Sequence, residues 1–126
     1  MIRLLFTFGA LSGLVSVVLG AFAAHGLRGK LAPDLEHAFE TGVHYQMMHS
    51  IAILVAGSMI MHWDRHWALV SASGAFALGI LLFSGSLYLL ALTGMKWLGP
   101  VTPLGGLAFI VGWGLLAIGI WQNTTP

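Results

Sequence analysis

The stretch PDLEHAFETGVHYQMMHS, residues 33–50, decides the fold, because both of its flanks are almost wholly apolar. It holds three of the chain's four carboxylates, on Asp34, Glu36 and Glu40, and three of its six histidines. Pro33 suits the first turn of a helix, and the acidic side chains behind it complement the positive end of the helix dipole. We expect an amphipathic helix that begins at the membrane surface and continues as a membrane-spanning segment.

The composition of the whole chain excludes an ordinary water-soluble domain. Of the 126 residues, 58% are hydrophobic and 7% are charged, whereas soluble domains carry about 25% charged residues. A net charge of +1 without any basic run excludes nucleic acid as a partner and leaves membrane lipids as the expected surroundings. Because the chain has no cysteine, disulfides, thiol catalysis and thiolate metal sites are excluded as well.

Four apolar segments are long enough to cross the hydrocarbon core, which takes about 20 helical residues. We expect the spans at about residues 4–24, 45–61, 68–92 and 104–121. An alternative for the first segment is a secretory signal cleaved after Ala23. Short connections make neighbouring spans antiparallel. The sequence therefore predicts one domain, an all-α membrane protein folded as an antiparallel four-helix transmembrane bundle with an amphipathic, interfacial start to its second helix.

Small residues form stripes along the first and last spans. The stripe glycines are Gly9, Gly13 and Gly20 in the first span and Gly105, Gly112 and Gly119 in the last. In lipid such stripes let helix backbones approach closely, because packing replaces the hydrophobic effect as the source of association. Packing inside one bundle is the favoured use, and contact with a second copy or another membrane protein is the alternative. The distribution of Lys and Arg leans slightly toward outside termini.

Four strings of residues carry a family resemblance. They are GAFAAHGL at 20–27, FETGVHYQMMH at 39–49, FSGSLY at 83–88 and TPLGG at 102–106. In this order and spacing they resemble the YgdD-like family of small bacterial membrane proteins, which also includes transmembrane protein 256 of animals. The resemblance implies a four-span, multi-pass protein of the cell inner membrane. It implies no established activity, substrate or catalytic residue, so the cofactor is unknown.

His49 is the sharpest candidate for binding a ligand or a proton. On a helical wheel it lies with Gly42 and Gln46 on a face of small residues that we expect to point into the bundle. A histidine inside a membrane marks such a site unless it is a neutral group bonded to Gln46, Tyr88 or a backbone carbonyl. The other candidates along this polar route are His25, Glu40, His44, Tyr45, Gln46, Ser84, Ser86 and Tyr88.

A metal site is a second hypothesis, on the polar face of the same helix. His37, Glu40 and His44 follow one another at i, i+3 and i+7, and imidazole and carboxylate groups are ligands of zinc and other transition metals. The alternative is the solvated face of an interfacial helix.

No nucleophile-elbow or phosphate-loop motif occurs, and no catalytic residue is predicted. We therefore expect a non-enzymatic helix-packing, assembly or interaction module. The alternative is a protein that binds or transports a small ligand, proton or metal along a route around His49 and the face formed by His37, Glu40 and His44.

Overall fold

The computed structural model of the protein describes residues 1–124, and every regular element in this range is helical. The elements are α1 (Ile2–His25), α2 (Pro33–His62), α3 (Trp67–Gly79), a π-helical turn (Ile80–Ser84), α4 (Gly85–Thr93), a short 3₁₀ helix (Lys96–Leu98) and α5 (Val101–Thr124). Together they make four segments that are long and apolar enough to cross a membrane. The predicted all-α membrane fold is confirmed, and each of the four expected spans lies inside one of these segments.

The second segment is one unbroken helix of 30 residues. At about 1.5 Å per residue it is about 45 Å long, which exceeds the roughly 30 Å of a hydrocarbon core. In its first turns Phe39 and Val43 are buried, while Asp34, His37 and Glu40 are exposed. The helix therefore begins as the amphipathic segment that the sequence predicts and becomes a membrane span further along.

The order of contacts between α1 and α2 shows that these helices are antiparallel. Near the end of α1, a Cβ added at Gly20 would lie 3.4 Å from Val43, whereas near its start one at Gly9 would lie 2.9 Å from Ile53. The small-residue stripe of α1 thus faces α2. Only Gly9 in this stripe is tightly enclosed, because a Cβ at Gly13 would meet nothing closer than 3.9 Å.

The glycines of α5 lie against the third span. An added Cβ would lie 2.6 Å from the Phe76 ring at Gly112 and 2.6 Å from the Leu69 side chain at Gly119. At Gly105 it would lie 2.3 Å from the backbone nitrogen of Phe83. These distances are shorter than any real Cβ contact, so the two backbones approach as closely as they do only because these side chains are absent.

Other glycines are enclosed as tightly, and of these the sequence indicated only Gly42, on the face that it shares with His49. Gly57 on α2 receives the Phe6 ring of α1, Gly42 receives Tyr88, and Gly79 receives Phe109. Each makes room for an aromatic side chain, and at Gly79 the backbone oxygen of Gly105 also lies 3.1 Å from an added Cβ. An aromatic ring can fill a glycine recess from any direction, and regular spacing therefore does not reveal such pairs.

The third span contains a feature that the sequence does not predict. The Gly85 amide donates to the carbonyl of Ile80, five residues earlier, in the π-helical turn Ile80–Ser84. Such turns widen a helix locally and are frequent at functional sites. This one brings the Phe83 backbone against Gly105 and the Ser84 hydroxyl to within 2.7 Å of the Gly42 carbonyl on α2.

Candidate functional site

Gln46 is the centre of a buried polar network that joins three helices. Its carboxamide Nε2 donates to the carbonyl of Ser12 on α1 at 2.9 Å and to the Ser12 hydroxyl at 3.2 Å. Its Oε1 accepts a bond of 2.5 Å from the Tyr88 hydroxyl on α4. Gln46 is 5% exposed, so these bonds form in surroundings where no water replaces them.

Two serines complete this network. The Ser50 hydroxyl donates to the Gln46 carbonyl at 2.6 Å and lies 2.8 Å from the Ser12 hydroxyl. A hydroxyl has one hydrogen to donate, so the bond between the two serines is donated by Ser12. The network is thereby satisfied throughout. Among residues 1–124, the only buried side-chain polar atom without a partner is Oε1 of Gln122, near the far end of α5.

His49 lies one turn beyond Gln46 and is 2% exposed, which confirms that it points into the protein. Its Nδ1 lies 2.7 Å from the Tyr45 carbonyl, and its Nε2 lies 3.0 Å from Nε1 of Trp113 on α5. A carbonyl only accepts and an indole N–H only donates, so Nδ1 carries the hydrogen and Nε2 accepts. The ring is therefore a neutral imidazole, with both nitrogens engaged inside the protein.

Aromatic side chains surround the His49 ring. The His49 ring stacks on Phe109 with ring centroids 3.6 Å apart and an interplanar angle of 9°. Tyr45 packs on Phe83 at 4.6 Å, and Phe83 packs on Phe109 at 5.4 Å. This cluster forms the inner wall of a cavity of about 510 Å³ between α2 and α5.

Comparison with known proteins assigns a family. A family model described as a protein of unknown function (DUF423) matches residues 19–106. The chain is 41% identical to the UPF0382 membrane protein SH2409 of Staphylococcus haemolyticus, over 95% of this chain and 97% of that one. It is 44% identical to a UPF0382 membrane protein of Haemophilus influenzae over 93% of both chains. It is also 40% identical to the UPF0382 inner membrane protein YgdD of Escherichia coli K12, over 93% of this chain and 88% of YgdD.

The chain belongs to this family. The resemblance to YgdD that the four strings indicate is confirmed, and so is the prediction of a multi-pass protein of the cell inner membrane. No solved structure matches the chain. The UPF0382 relatives carry no named activity, so the function of this member has to be argued from its own side chains.

Of the predicted ligand candidates, Tyr45 packs beside His49 in the aromatic cluster, and the other seven separate into two groups in this UPF0382 protein. Gln46, Ser84, Ser86 and Tyr88 make side-chain hydrogen bonds within the bundle, where Ser86 lies 2.6 Å from the Thr102 hydroxyl on α5. His25, Glu40 and His44 are exposed and lie toward the start of α2 or the end of α1. The two groups do not form one continuous polar route to His49.

The metal hypothesis for His37, Glu40 and His44 gains no support from the geometry. Within residues 1–124, no three His, Asp or Glu side chains lie close enough to hold a metal ion. Seven residues separate the two histidines, which places them about 10 Å apart along the helix axis, whereas metal ligands lie about 2 Å from the ion. The three side chains share a face, as the spacing indicates, but they do not converge.

Ser12 and Trp113 are parts of the site that sequence reasoning missed. Ser12 lies next to Gly13 and one helical turn from Gly9, both in the glycine stripe of α1. A polar side chain in that place lies close to the helix against which the stripe packs. Trp113 lies in the middle of the last span, far from the interfacial belt that tryptophans prefer. A tryptophan at that depth is a signal of a hydrogen-bond partner inside the protein.

Replacing His49 with leucine is expected to destabilise the protein by about 1–2 kcal/mol, because the bond to Trp113 is lost within the membrane. His62→Leu is the matched control, since His62 makes the same bond to the carbonyl four residues earlier but is exposed. Unfolding of both variants in mixed detergent micelles, followed by circular dichroism, measures the difference. If His49→Leu unfolds like the wild type, the histidine has no structural role and its assignment to a ligand gains weight.

Proposed function

We propose that this UPF0382 protein is a non-enzymatic membrane module that assembles with a second copy or another membrane protein. The contact surface is the outer face of the third span. Its members recur at steps of three or four residues and comprise Ser71, Gly74, Leu78, Leu81, Gly85, Leu89 and Leu92. The observation that carries the proposal is that nothing lies within 4 Å of a Cβ added at either Gly74 or Gly85.

Uncovered glycines in a span call for a physical explanation. A glycine inside a helix costs about 1 kcal/mol relative to alanine, and the glycines at the α5 contacts recover this cost by allowing close packing. Gly74 and Gly85 recover nothing within one chain. Leucines exposed between them, such as Leu78 at 51% and Leu81 at 61%, offer side chains that fit the corresponding recesses of a second helix. Close packing of this kind drives association in lipid.

The alternative, binding or transport along a polar route around His49, has less support. Both ring nitrogens of His49 are bonded within the protein. The side chains beside it are aromatic, and the exposed Glu40 and His44 lie on another face of α2. A proton or ion would need further polar groups at the depth of the membrane.

Cross-linking through a single cysteine tests the assembly proposal directly, because the chain has no cysteine of its own. Leu78→Cys in native membranes is expected to form a disulfide-linked product on mild oxidation. A product of twice the monomer mass would identify a second copy, and any other mass would identify a different protein. Adding Gly74→Leu to Leu78→Cys should reduce the product, because the added side chain blocks close approach.

The matched control for this experiment is Leu14→Cys on α1, where Leu14 is 60% exposed and therefore also faces lipid. Random collisions in the membrane would cross-link both cysteines equally. Equal yields from Leu78→Cys and Leu14→Cys would rule out the outer face of the third span as an assembly surface.

A further inference from the structure

A groove runs along the surface between α2 and α5. Its wider part is the cavity of about 510 Å³ that begins at Tyr45 and Pro103 and reaches Trp113. A second cavity of about 260 Å³ shares Trp113 with the first and extends to Leu116. The two together are called the α2–α5 groove here. Volumes of several hundred Å³ lined by aromatic and aliphatic side chains are typical of ligand sites.

The dimensions of the α2–α5 groove fit one hydrocarbon chain. Leu116 lies 13 residues beyond Pro103 on α5, which corresponds to about 20 Å of helix, and one leaflet of the hydrocarbon core is about 15 Å deep. The groove is open to the surrounding lipid along this length and its lining is almost wholly apolar, so an extended acyl chain can lie in it.

The mouth of the groove offers polar groups without partners in the protein, whereas both ring nitrogens of His49, deeper in the lining, are already bonded. Within residues 1–124 the Tyr45 hydroxyl has no hydrogen-bond partner in the protein, unlike that of Tyr88. Pro103 lies in the first turn of α5, where the unbonded amides and the helix dipole favour an anion. A hydroxyl donor and a positive helix end thus meet at one end of an apolar groove.

The charges near the mouth complement an anion. Lys96 is exposed in the connection that leads into α5, and no Asp or Glu follows Asp64 in the sequence. Glu40 lies on α2 at the same end of the bundle, but it lines a separate cavity with Gly20 and His44 on the α1 side. The remaining carboxylates at this end, Asp34 and Glu36, lie in the first turn of α2, about 14–17 Å along the helix from Tyr45. Glu36 accepts a hydrogen bond from the Gly29 amide. The exposed Lys96, five residues before α5 begins, is the cation that a phosphodiester at the start of α5 would attract.

We propose that the α2–α5 groove is a binding site for one phospholipid. One acyl chain lies along the groove as far as Leu116, and the phosphate and glycerol esters lie at the mouth, within reach of the Tyr45 hydroxyl and the start of α5. The site goes beyond the assembly function, since it lies on a different surface from the third span. The bound phospholipid is thus distinct from the lipids that merely surround the protein in the bilayer.

Gly106 provides the test, because it lies in the wall of the groove. As a glycine it has no side chain, so the space that the lipid chain would occupy is open there. A Cβ there would be 3.9 Å from the Phe83 ring, an ordinary contact, so Gly106→Leu fills the groove without straining the helix. Gly114→Leu is the matched control on the same helix, because nothing lies within 4 Å of its Cβ. Ile110→Trp, at an exposed position of the lining, is a second groove-filling variant.

Each variant is reconstituted into nanodiscs of phosphatidylethanolamine and phosphatidylglycerol with a trace of ubiquinone, and released for native mass spectrometry. We expect the wild type and Gly114→Leu to retain one phospholipid. In Gly106→Leu and Ile110→Trp, the fraction of protein that carries a bound phospholipid should be about tenfold lower. Tyr45→Phe should weaken retention of the lipid while leaving helix content unchanged. Circular dichroism verifies that each variant is folded.

Three results would overturn the phospholipid site. Equal retention by the wild type and both groove-filling variants would mean that the lipid is merely annular. Preferential retention of ubiquinone would assign the groove to an isoprenoid chain. A dimer mass that disappears on Gly106→Leu would assign it to a second copy. The assembly proposal is judged separately, because the cross-link through Leu78→Cys does not depend on Gly106.

Discussion

Gly105→Ala is expected to destabilise the protein by roughly 3 kcal/mol, the upper part of the range for inserting an atom into a packed interior. The added methyl would lie 2.3 Å from the amide nitrogen of Phe83 and 2.7 Å from its Cα. These are backbone atoms of the π-helical turn, so no rotamer change relieves the clash. The α5 helix has to move away from the third span, and contacts along the whole interface between these two helices are weakened.

The neighbouring glycine provides the control. Gly106→Ala places its methyl 3.9 Å from the Phe83 ring, and alanine is the better helix former by about 1 kcal/mol. We therefore expect this variant to be as stable as the wild type or slightly more stable. Unfolding in mixed micelles, followed by circular dichroism, compares the two variants. Equal losses would mean that any side chain in this turn is harmful and that the close contact at Phe83 is not the cause.

The helical spans were predictable because the membrane constrains them so strongly. A span must be about 20 residues long and must satisfy its own backbone hydrogen bonds, so length and hydropathy suffice to place it. The amphipathic start of α2 was predictable for a similar reason, since helical spacing places Asp34 and Glu40 on one face and Phe39 and Val43 on another. These are local properties of one helix, and sequence reports local properties well.

The partners of His49 were not predictable in the same way. Its inward orientation follows from the periodicity of α2, but Trp113 lies 64 residues further along the chain. Which residue of α5 meets His49 depends on how far the helices slide along one another. The π-helical turn at Ile80–Ser84 adds to this, because it shifts the helical phase of everything that follows it in the third span. No local pattern in the sequence specifies either quantity.

The glycines of α5 and the face of His37, Glu40 and His44 illustrate what spacing can and cannot indicate. A repeat of seven brings Gly105 and Gly112 to one side of a helix, and a single side is all that close packing requires. Metal binding requires more, because the ligands must meet at one point in space. Residues spread over two turns of one helix share a direction without sharing such a point.

Gln46→Leu is expected to destabilise the protein by about 2–3 kcal/mol, although leucine is the more apolar side chain. The substitution removes the acceptor of the Tyr88 hydroxyl and the donor to Ser12, so the Tyr88 hydroxyl loses its partner inside the protein while Ser12 keeps only its bond to Ser50. Buried polar groups without partners are costly where no water can reach them. Unfolding in mixed micelles measures the loss, with Thr41→Leu, an exposed-side change on the same helix, as the control.

A double-mutant cycle separates the network from the packing around it. Tyr88→Phe alone removes one hydrogen bond and leaves Oε1 of Gln46 without that donor. Once Gln46 is leucine, Tyr88→Phe removes a hydroxyl that is already unpaired, so it should restore part of the stability. We therefore expect the double variant to be more stable than the sum of the two losses by about 1 kcal/mol. Strict additivity would mean that the two side chains are not coupled and that α2 and α4 are held together by packing alone.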